Sequence, residues 1–298
     1  MRIAVTGREG QIARALAEIG QAEGIDVVFL ARPDVDLARP ETVWPALRDA
    51  GANLVINAAA YTAVDRAESE PDLAHAVNTV GAGAVAAAAA GLGLPILHLS
   101  TDYVFDGASP RPYREDDATA PLGVYGRTKL LGEQAVAAAN PAHAILRTAW
   151  VYSPFGQNFV KTMLRLAAAR DEIGVVADQR GGPTSALDIA RALIAVARRV
   201  TAEGGDASRF YGTFHMTGQG EASWADVAEA IFSVSRGLGG PAARVKRIAT
   251  VDYPTSAKRP AHSRLDGAKL AGTYGLNLPA WTASLETCVA RLLSEAAT

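Results

Sequence analysis

Residues 1–13 read MRIAVTGREGQIA, and this stretch decides the fold. Met1 to Thr6 is a short apolar run with the composition of a buried strand. Gly7 and Gly10 then punctuate a turn, and helix-forming residues follow from Gln11 and Ile12. A strand that passes through a glycine turn into a helix gathers free backbone N–H groups and the positive end of a helix dipole at one point. A diphosphate can approach the backbone closely there. The spacing is Gly-x-x-Gly-x-x-Ala rather than the Gly-x-Gly-x-x-Gly of the best-known dinucleotide sites, but Ala13 in the last place still allows tight helix–strand packing. Many α/β folds use the same turn and bind nothing, so the reading needs support from elsewhere in the chain.

Outward from this turn, short β-rich runs alternate with helical segments. The runs are RIAVTG, DVVFL, NLVINAA, PILHLS, HAILRT and IGVVA, and the helical segments cover 11–20, 40–50, 67–91, 125–139 and 158–169. Near-continuous apolar strands separated by helices predict a parallel sheet covered on both faces. The expectation is an α/β protein: a doubly wound parallel-sheet Rossmann domain over 1–150, with parts of about 171–215 returning to it, and a smaller α/β C-terminal substrate lobe over most of 151–298. In that second half the rhythm loosens into loops, with helices predicted over 185–200, 224–236 and 281–295. No repeat of solenoid length is present.

The 29 basic and 31 acidic residues leave a net charge of -2, which argues against a broad electrostatic footprint for nucleic acid. One cysteine, Cys288, rules out an internal disulfide framework and suits a reducing cytoplasm; its neighbours predict a buried helical position. Met1 to Thr6 reads directly as a strand, with no apolar core and cleavage site, so no signal peptide is expected. The alanine-rich stretch 82–94 is interrupted by Gly83, Gly91 and Gly93 and reads as a packed helix too short to span a bilayer. No membrane partner is expected.

Tyr125 and Lys129 stand one helical turn apart in VYGRTKLLGE, downstream of Thr101 in LHLSTDYVFDG. At this spacing both side chains leave one face of a helix. An ammonium beside a phenol stabilises the phenolate and lowers its pKa, which eases proton exchange. A surface Tyr resting on a Lys stem would show the same spacing, and it is the glycine turn upstream that favours chemistry. Together these features imply a nicotinamide-dependent carbonyl reductase.

The cofactor would rest on Gly7, Gly10, Gln11 and Ile12. After the second strand, FLARPDVDL has Arg32 where an NAD site carries an acidic residue for the ribose 2′-OH. An arginine there can hold the 2′-phosphate of NADP, so NADPH is expected, with NADH tolerated. An exposed arginine preceding Pro33 is the plainer alternative. Asp36 and Leu37 would lie near the adenine, and Ala58, Ala59 and Ala60 would form a small-residue floor. His98, on an apolar strand, reads as a core histidine, and no His or Cys cluster has metal-ligand spacing.

The glycine pattern, NAAAYTAVDRAE, LSTDYVFDG, YGRTKLLGE, RTAWVYS, DQRGGPTSALDIA and RPAHSRLD resemble the extended short-chain dehydrogenases/reductases, and within them the branch that reduces dTDP-linked 4-keto sugars. The likeness runs through nearly the whole chain. It implies reduction of the C4 ketone of dTDP-4-dehydro-6-deoxy-L-mannose to dTDP-L-rhamnose, a precursor for polysaccharides. By the resemblance Tyr125 is the proton donor, Lys129 holds the nicotinamide ribose and tunes Tyr125, and Thr101 hydrogen-bonds the carbonyl oxygen. Thr62, Val64, Asp102, Trp150, Asn158 and Arg259 would meet the nucleotide sugar, Trp150 through an apolar ring and Arg259 by forking onto the diphosphate. A core role for Trp150 and a structural ion pair for Arg259 stay open. Asn78 matches the Asn of the family's active-site helix, either as a bend or water relay or as a packing amide.

Some members of that family are described as using magnesium, in places between subunits. Nothing in this sequence fixes such a site, so the expectation is no obligatory catalytic metal. The oligomeric state stays open, a homodimer being one arrangement consistent with the sequence. Epimerases and dehydratases of nucleotide sugars share the fold and the catalytic residues but retain NAD without net consumption. A reductase of another 4-keto nucleotide sugar and a non-catalytic NADP-binding regulatory subunit are further alternatives.

Overall fold

The computed structural model describes residues 1–202 and 207–296. Along the first half, the chain runs β1 (Arg2–Thr6), α1 (Gln11–Ala22), β2 (Asp26–Leu30), α2 (Val43–Ala50) and β3 (Leu54–Asn57). It continues through α3 (Val64–Ala67), α4 (Pro71–His75), a π-helical stretch at Ala76–Gly81, α5 (Ala82–Gly91), β4 (Ile96–Thr101), α6 (Val124–Ala139) and β5 (His143–Thr148). The second half holds β6 (Val151–Tyr152), α7 (Phe159–Ala167), β7 (Glu172–Val176), β8 (Arg180–Gly181), β9 (Thr184–Ser185), α8 (Ala186–Val200) and β10 (Gly212–His215). It closes with β11 (Ala222–Ser223), α9 (Trp224–Gly237), β12 (Arg244–Ile248), α10 (Ala268–Tyr274) and α11 (Trp281–Ala296).

Six strands form one parallel sheet in the order β10-β5-β4-β3-β1-β2. Side chains alternate across it: Ile3, Val5, Leu54, Ile56, Leu97, Leu99 and Leu146 face a layer formed by α1 and α8. Ala4, Val55, Ile96 and Ile145 face the layer of α2, α5 and α6. This period of two places an apolar residue on both faces of every inner strand, so the runs read as continuous hydrophobic segments. Leu193 of α8 is wholly buried, and truncating such a residue to Ala costs about 2–5 kcal/mol. The strand order reverses beside β1, and a ligand crevice is expected outside the carboxyl ends of the strands at that point.

The sheet corrects one sequence expectation. The IGVVA run forms β7, but β7 pairs in parallel with β12 in a separate two-stranded ribbon. The sixth sheet strand is β10, and α8 returns with it to cover the sheet. β10 is the sequence GTFH, and a four-residue strand with one large apolar side chain has no periodicity to read.

Pro71 to Gly91 forms a continuous helical stretch of 21 residues, long and apolar enough to cross a membrane by length and composition. That is longer than the stretch read from the alanines alone. Ala82, Val85, Ala86 and Ala89 are buried between the sheet and the neighbouring helices, so it packs as a core helix. A further core joins α7, β7, α9 and α11 around Ile173, Ile231, Phe232, Leu285 and Val289. Cys288 is buried within it, and that burial pushes its thiol up to about 12.

Candidate active site

A cleft of about 1150 Å³ lies along the carboxyl ends of β1, β3, β4 and β5 and is walled on its far side by the second half of the chain. The residues expected to hold the cofactor, carry the chemistry or meet the sugar all line it except Arg259. Gly7 holds a left-handed φ of 82° and donates its N–H to the Leu30 carbonyl at 2.8 Å. A Cβ there would stand 3.3 Å from the Ala59 Cβ, so the turn needs both residues small. Gly10 opens α1 with no side-chain cap and no acidic residue in the first turn. The helix-terminal N–H groups and the dipole are therefore left to an anionic ligand.

Thr6 shapes the neighbouring wall. Its hydroxyl donates to Asn57 Oδ1 at 2.6 Å and accepts from the Ala58 and Ala59 N–H groups at 3.1 and 3.0 Å. The backbone of Ala58–Ala59–Ala60 is thus pinned as a flat floor with no side chain large enough to fill it. Arg32 is exposed at the end of β2, and among the described residues no carboxylate pairs with it. Asp36 lines the rim and accepts the Ala38 N–H at 3.0 Å, while Leu37 is buried against the core beneath. An uncapped helix start, a small-residue floor and a free guanidinium fit a phosphorylated dinucleotide. Gln11 is partly committed elsewhere, since its Oε1 accepts from Ser153 Oγ at 2.8 Å and from Asn158 Nδ2 at 3.1 Å.

Thr101 ends β4 and Tyr125 lies in the first turn of α6, whose Val124 N–H donates to Glu68 Oε1 at 2.7 Å. Burial pushes the Tyr125 phenol up to about 12; the Thr101 hydroxyl bonded to it pulls the value down, and the Asp102 charge raises it. Lys129 is 3% exposed and donates from Nζ to the Leu99 carbonyl at 2.7 Å. Burial lowers its ammonium to about 8 while the Glu133 carboxylate opposes that shift. Desolvation, and not the Lys129 ammonium, is the largest influence on the Tyr125 phenol. The phenol keeps its proton at neutral pH, which is the state a proton donor requires.

Beneath Lys129 lies a network the sequence reading missed. Glu133 accepts from Arg147 Nε at 2.9 Å, from Arg147 Nη2 at 2.7 Å and from Ser100 Oγ at 2.5 Å. The available signal was Glu133 standing one helical turn after Lys129 on the same face. His98 is buried with Nδ1 at 3.0 Å from the Asn57 amide, and burial with the nearby Lys129 charge holds its pKa well below the ordinary value. Asn78 sits in the π-helical stretch. Its amide accepts the Tyr61 N–H at 2.8 Å and donates to the Tyr61 carbonyl and the Thr128 hydroxyl at 3.1 Å, which makes it a bend-fixing group that does not line the cleft.

Of the residues expected to meet the sugar, Thr62 is exposed and Val64 is partly buried at the start of α3. Asp102 is 2% exposed and accepts from the Thr101 hydroxyl at 3.0 Å. Burial raises its carboxyl to about 6 against the hydrogen bonds of Ser263 and Thr101. Trp150 borders the cleft with its indole stacked on Trp224. Two of the side chains expected to meet the sugar already have protein partners. Asn158 caps α7, with Oδ1 accepting the Lys161 N–H at 3.2 Å and Nδ2 donating to the Ser153 carbonyl at 2.8 Å, so its amide is spent on the fold. Arg259 forks onto Asp65 at 3.1 and 2.9 Å outside the cleft lining, the ion pair that was its alternative reading.

Among the described residues, no three His, Cys, Asp or Glu side chains gather as a metal site. Glu18, in α1, and Glu295, in α11, both pair with the guanidinium of Arg291 at 2.8 Å, so a cation of the chain's own already stands between those two carboxylates.

The sequence profile of the family described as RmlD substrate binding domain matches residues 1–294. A dTDP-4-dehydrorhamnose reductase of Sinorhizobium fredii is 54% identical over 295 residues, covering 99% of this chain and 99% of that protein. Among solved structures, a dTDP-4-dehydrorhamnose reductase of Clostridium acetobutylicum superposes with a TM-score of 0.90 at 38% identity, over 98% of this chain and 100% of that one. The Bacillus anthracis enzyme of the same name, solved in complex with NADP, gives a TM-score of 0.88 at 34% identity, over 97% and 99% of the two chains.

Proposed function

This chain belongs to the family described as RmlD substrate binding domain, and on that basis we propose that it reduces the C4 ketone of dTDP-4-dehydro-6-deoxy-L-mannose to dTDP-L-rhamnose with NADPH. The observation that carries the reading is that Thr101, Tyr125 and Lys129 line the same cleft as the Gly7–Gly10 turn and Arg32. A cleft with a dinucleotide floor at one end and a protonated phenol at the other is built for carbonyl reduction.

The first turn of α1 would hold the dinucleotide diphosphate, Ala58–Ala60 would leave room for its riboses, and Arg32 would pair with the 2′-phosphate. When bound, the cofactor supplies hydride from nicotinamide C4 to the ketone carbon. Tyr125 donates its phenolic proton to the ketone oxygen as charge builds there, and the Thr101 hydroxyl supplies a second hydrogen bond to that oxygen. The ammonium of Lys129 then lies in the low-dielectric wall beside the phenolate left behind and favours it. Leu99 orients that ammonium through its carbonyl, and Glu133 keeps it charged. Thr62 and Val64 border the sugar, and Trp150 covers its apolar face. Given the ion pair with Asp65, Arg259 acts by fixing the loop that follows β12 rather than by holding phosphate. No step requires a metal. The lone buried Cys288 supports placing the reaction in the cytoplasm.

The decisive experiment mixes purified protein, NADPH and a panel of 4-keto nucleotide sugars and follows absorbance at 340 nm. Stoichiometric NADPH oxidation with the dTDP-linked 4-keto sugar is expected. Conversion without net oxidation would make the chain an epimerase, and cofactor binding with no conversion would make it a regulatory subunit. Turnover unchanged in EDTA is the expected metal control; loss restored by Mg²⁺ would overturn the metal-free mechanism.

A further inference from the structure

Trp150 is the one non-glycine residue among those described that holds a positive φ, at 48°. A bulky side chain adopts that backbone only where its surroundings over-determine it. The surroundings here are aromatic. The Trp224 indole lies parallel to that of Trp150, with centroids 3.6 Å apart and planes within 4°. Behind it, Phe159 packs on Trp224 at 4.7 Å and 51°. Gly181 makes room for the indole, since a Cβ there would clash with Trp150 at Cε2, Nε1 and Cζ2.

Trp224 is itself mounted rigidly. It is the first residue of α9, directly after the capping box in which Ser223 Oγ accepts the Asp226 N–H at 3.1 Å and Asp226 Oδ2 accepts the Ser223 N–H at 2.8 Å. Arg247 then holds Asp226 at 2.7 Å. Trp150, Trp224 and Phe159 all border the cleft, and both indoles are only partly buried. One face of Trp150 is therefore taken by protein, and what remains for a ligand is an edge whose angle Trp224 sets.

We infer that Trp224 is a positioning residue for the sugar: by stacking on Trp150 it holds that indole at the angle at which it closes the sugar end of the cleft. The inference rests on the proposed reduction of a 6-deoxy nucleotide sugar, whose methyl group and C–H faces are the apolar surface an indole edge accommodates. The dinucleotide end, built from β1, α1 and the Ala58–Ala60 floor, is independent of the stack.

The test compares wild type with Trp224→Ala, Trp224→Phe and Gly181→Ala. The Michaelis constants for the ketosugar and for NADPH are measured separately, dTDP-L-rhamnose binding is titrated calorimetrically, and near-UV circular dichroism reports the indole stack. Trp224→Ala is expected to lose the stacked-indole signal and to weaken both ketosugar and dTDP-L-rhamnose by about tenfold, while NADPH stays within about twofold. Trp224→Phe, which can still stack, is expected to recover most of the loss. Gly181→Ala, which displaces Trp150 from its other contact, is expected to reproduce the sugar defect with Trp224 intact. Should Trp224→Ala fail to fold, Trp224→Leu against Trp224→Phe makes the same comparison. Unchanged sugar binding, an equal loss of sugar and NADPH, or a Phe variant as impaired as the Ala variant would overturn the inference while leaving the reduction standing. Wild-type protein that neither reduces the ketosugar nor binds dTDP-L-rhamnose would instead overturn the functional reading.

Discussion

Arg147 of β5 and Glu133 of α6 form a forked ion pair beneath Lys129, with side chains 6% and 5% exposed. Burying two charges is costly, and the geometry must repay it, so removing one partner strands the other without solvent. Glu133→Ala is expected to lower stability by about 3–5 kcal/mol in urea unfolding. Replacing both partners with apolar residues of similar volume should recover most of that loss. A loss from Glu133→Ala below about 1 kcal/mol, the range of exposed pairs, would show that the guanidinium finds water instead.

The Tyr125 phenol is raised by burial and keeps its proton at neutral pH. Tyr125→Phe removes that proton and leaves the ring in place, including its edge-on contact with Tyr103 at 5.5 Å. NADPH binding should stay nearly intact while turnover falls by roughly 10² or more, the scale of a lost general acid. Unchanged turnover would remove Tyr125 from its role.

The parts of the site legible in the sequence are those whose geometry is local. Gly7 to Ala13 specify a turn within one strand–helix unit, and Tyr125 and Lys129 share a face because four residues make one helical turn. The protein partners of Asn158 and Arg259 were not legible for the opposite reason. Asn158 is held through Gln11, 147 positions away, and Arg259 through Asp65, 194 positions away, and no spacing rule reaches across such separations. The same holds for the fold: β1 to β5 announce themselves as apolar runs, whereas β10 takes its place in the sheet because β5 offers an edge. Trp224 had no sequence signal beyond being one of four tryptophans, since a stack between residues of β11–α9 and the β5–β6 connection exists only in three dimensions.

Arg32 stands free at the end of β2 on the rim of the cleft. If its guanidinium meets the 2′-phosphate, Arg32→Ala weakens NADPH roughly tenfold and leaves NADH nearly unchanged, because only NADPH carries the charge it would pair with. Binding titrations with the two cofactors measure this directly. Equal losses for both would mean that Arg32 does not touch that phosphate.

Asp102 supplies a pH dependence whose sign can be worked out. Its carboxyl is raised by burial from 3.8 to about 6, so the folded protein favours the neutral form more than the unfolded chain does. Its stabilising contribution is therefore fully present below the unfolded value and is lost as pH rises through about 6. Asp102→Asn, which cannot ionise, should gain stability relative to wild type as pH rises from 4 to 8, by up to about 3 kcal/mol. The same titration reaches the chemistry, because the ionised carboxylate is the stronger acceptor of the hydrogen bond that the Thr101 hydroxyl donates at 3.0 Å and competes with the ketone oxygen for that donor. Turnover of wild type should rise as pH falls through about 6, and the Asn variant should lack that step. Matching pH–rate profiles for the two proteins would assign the titration to another group, and with it the orientation of Thr101.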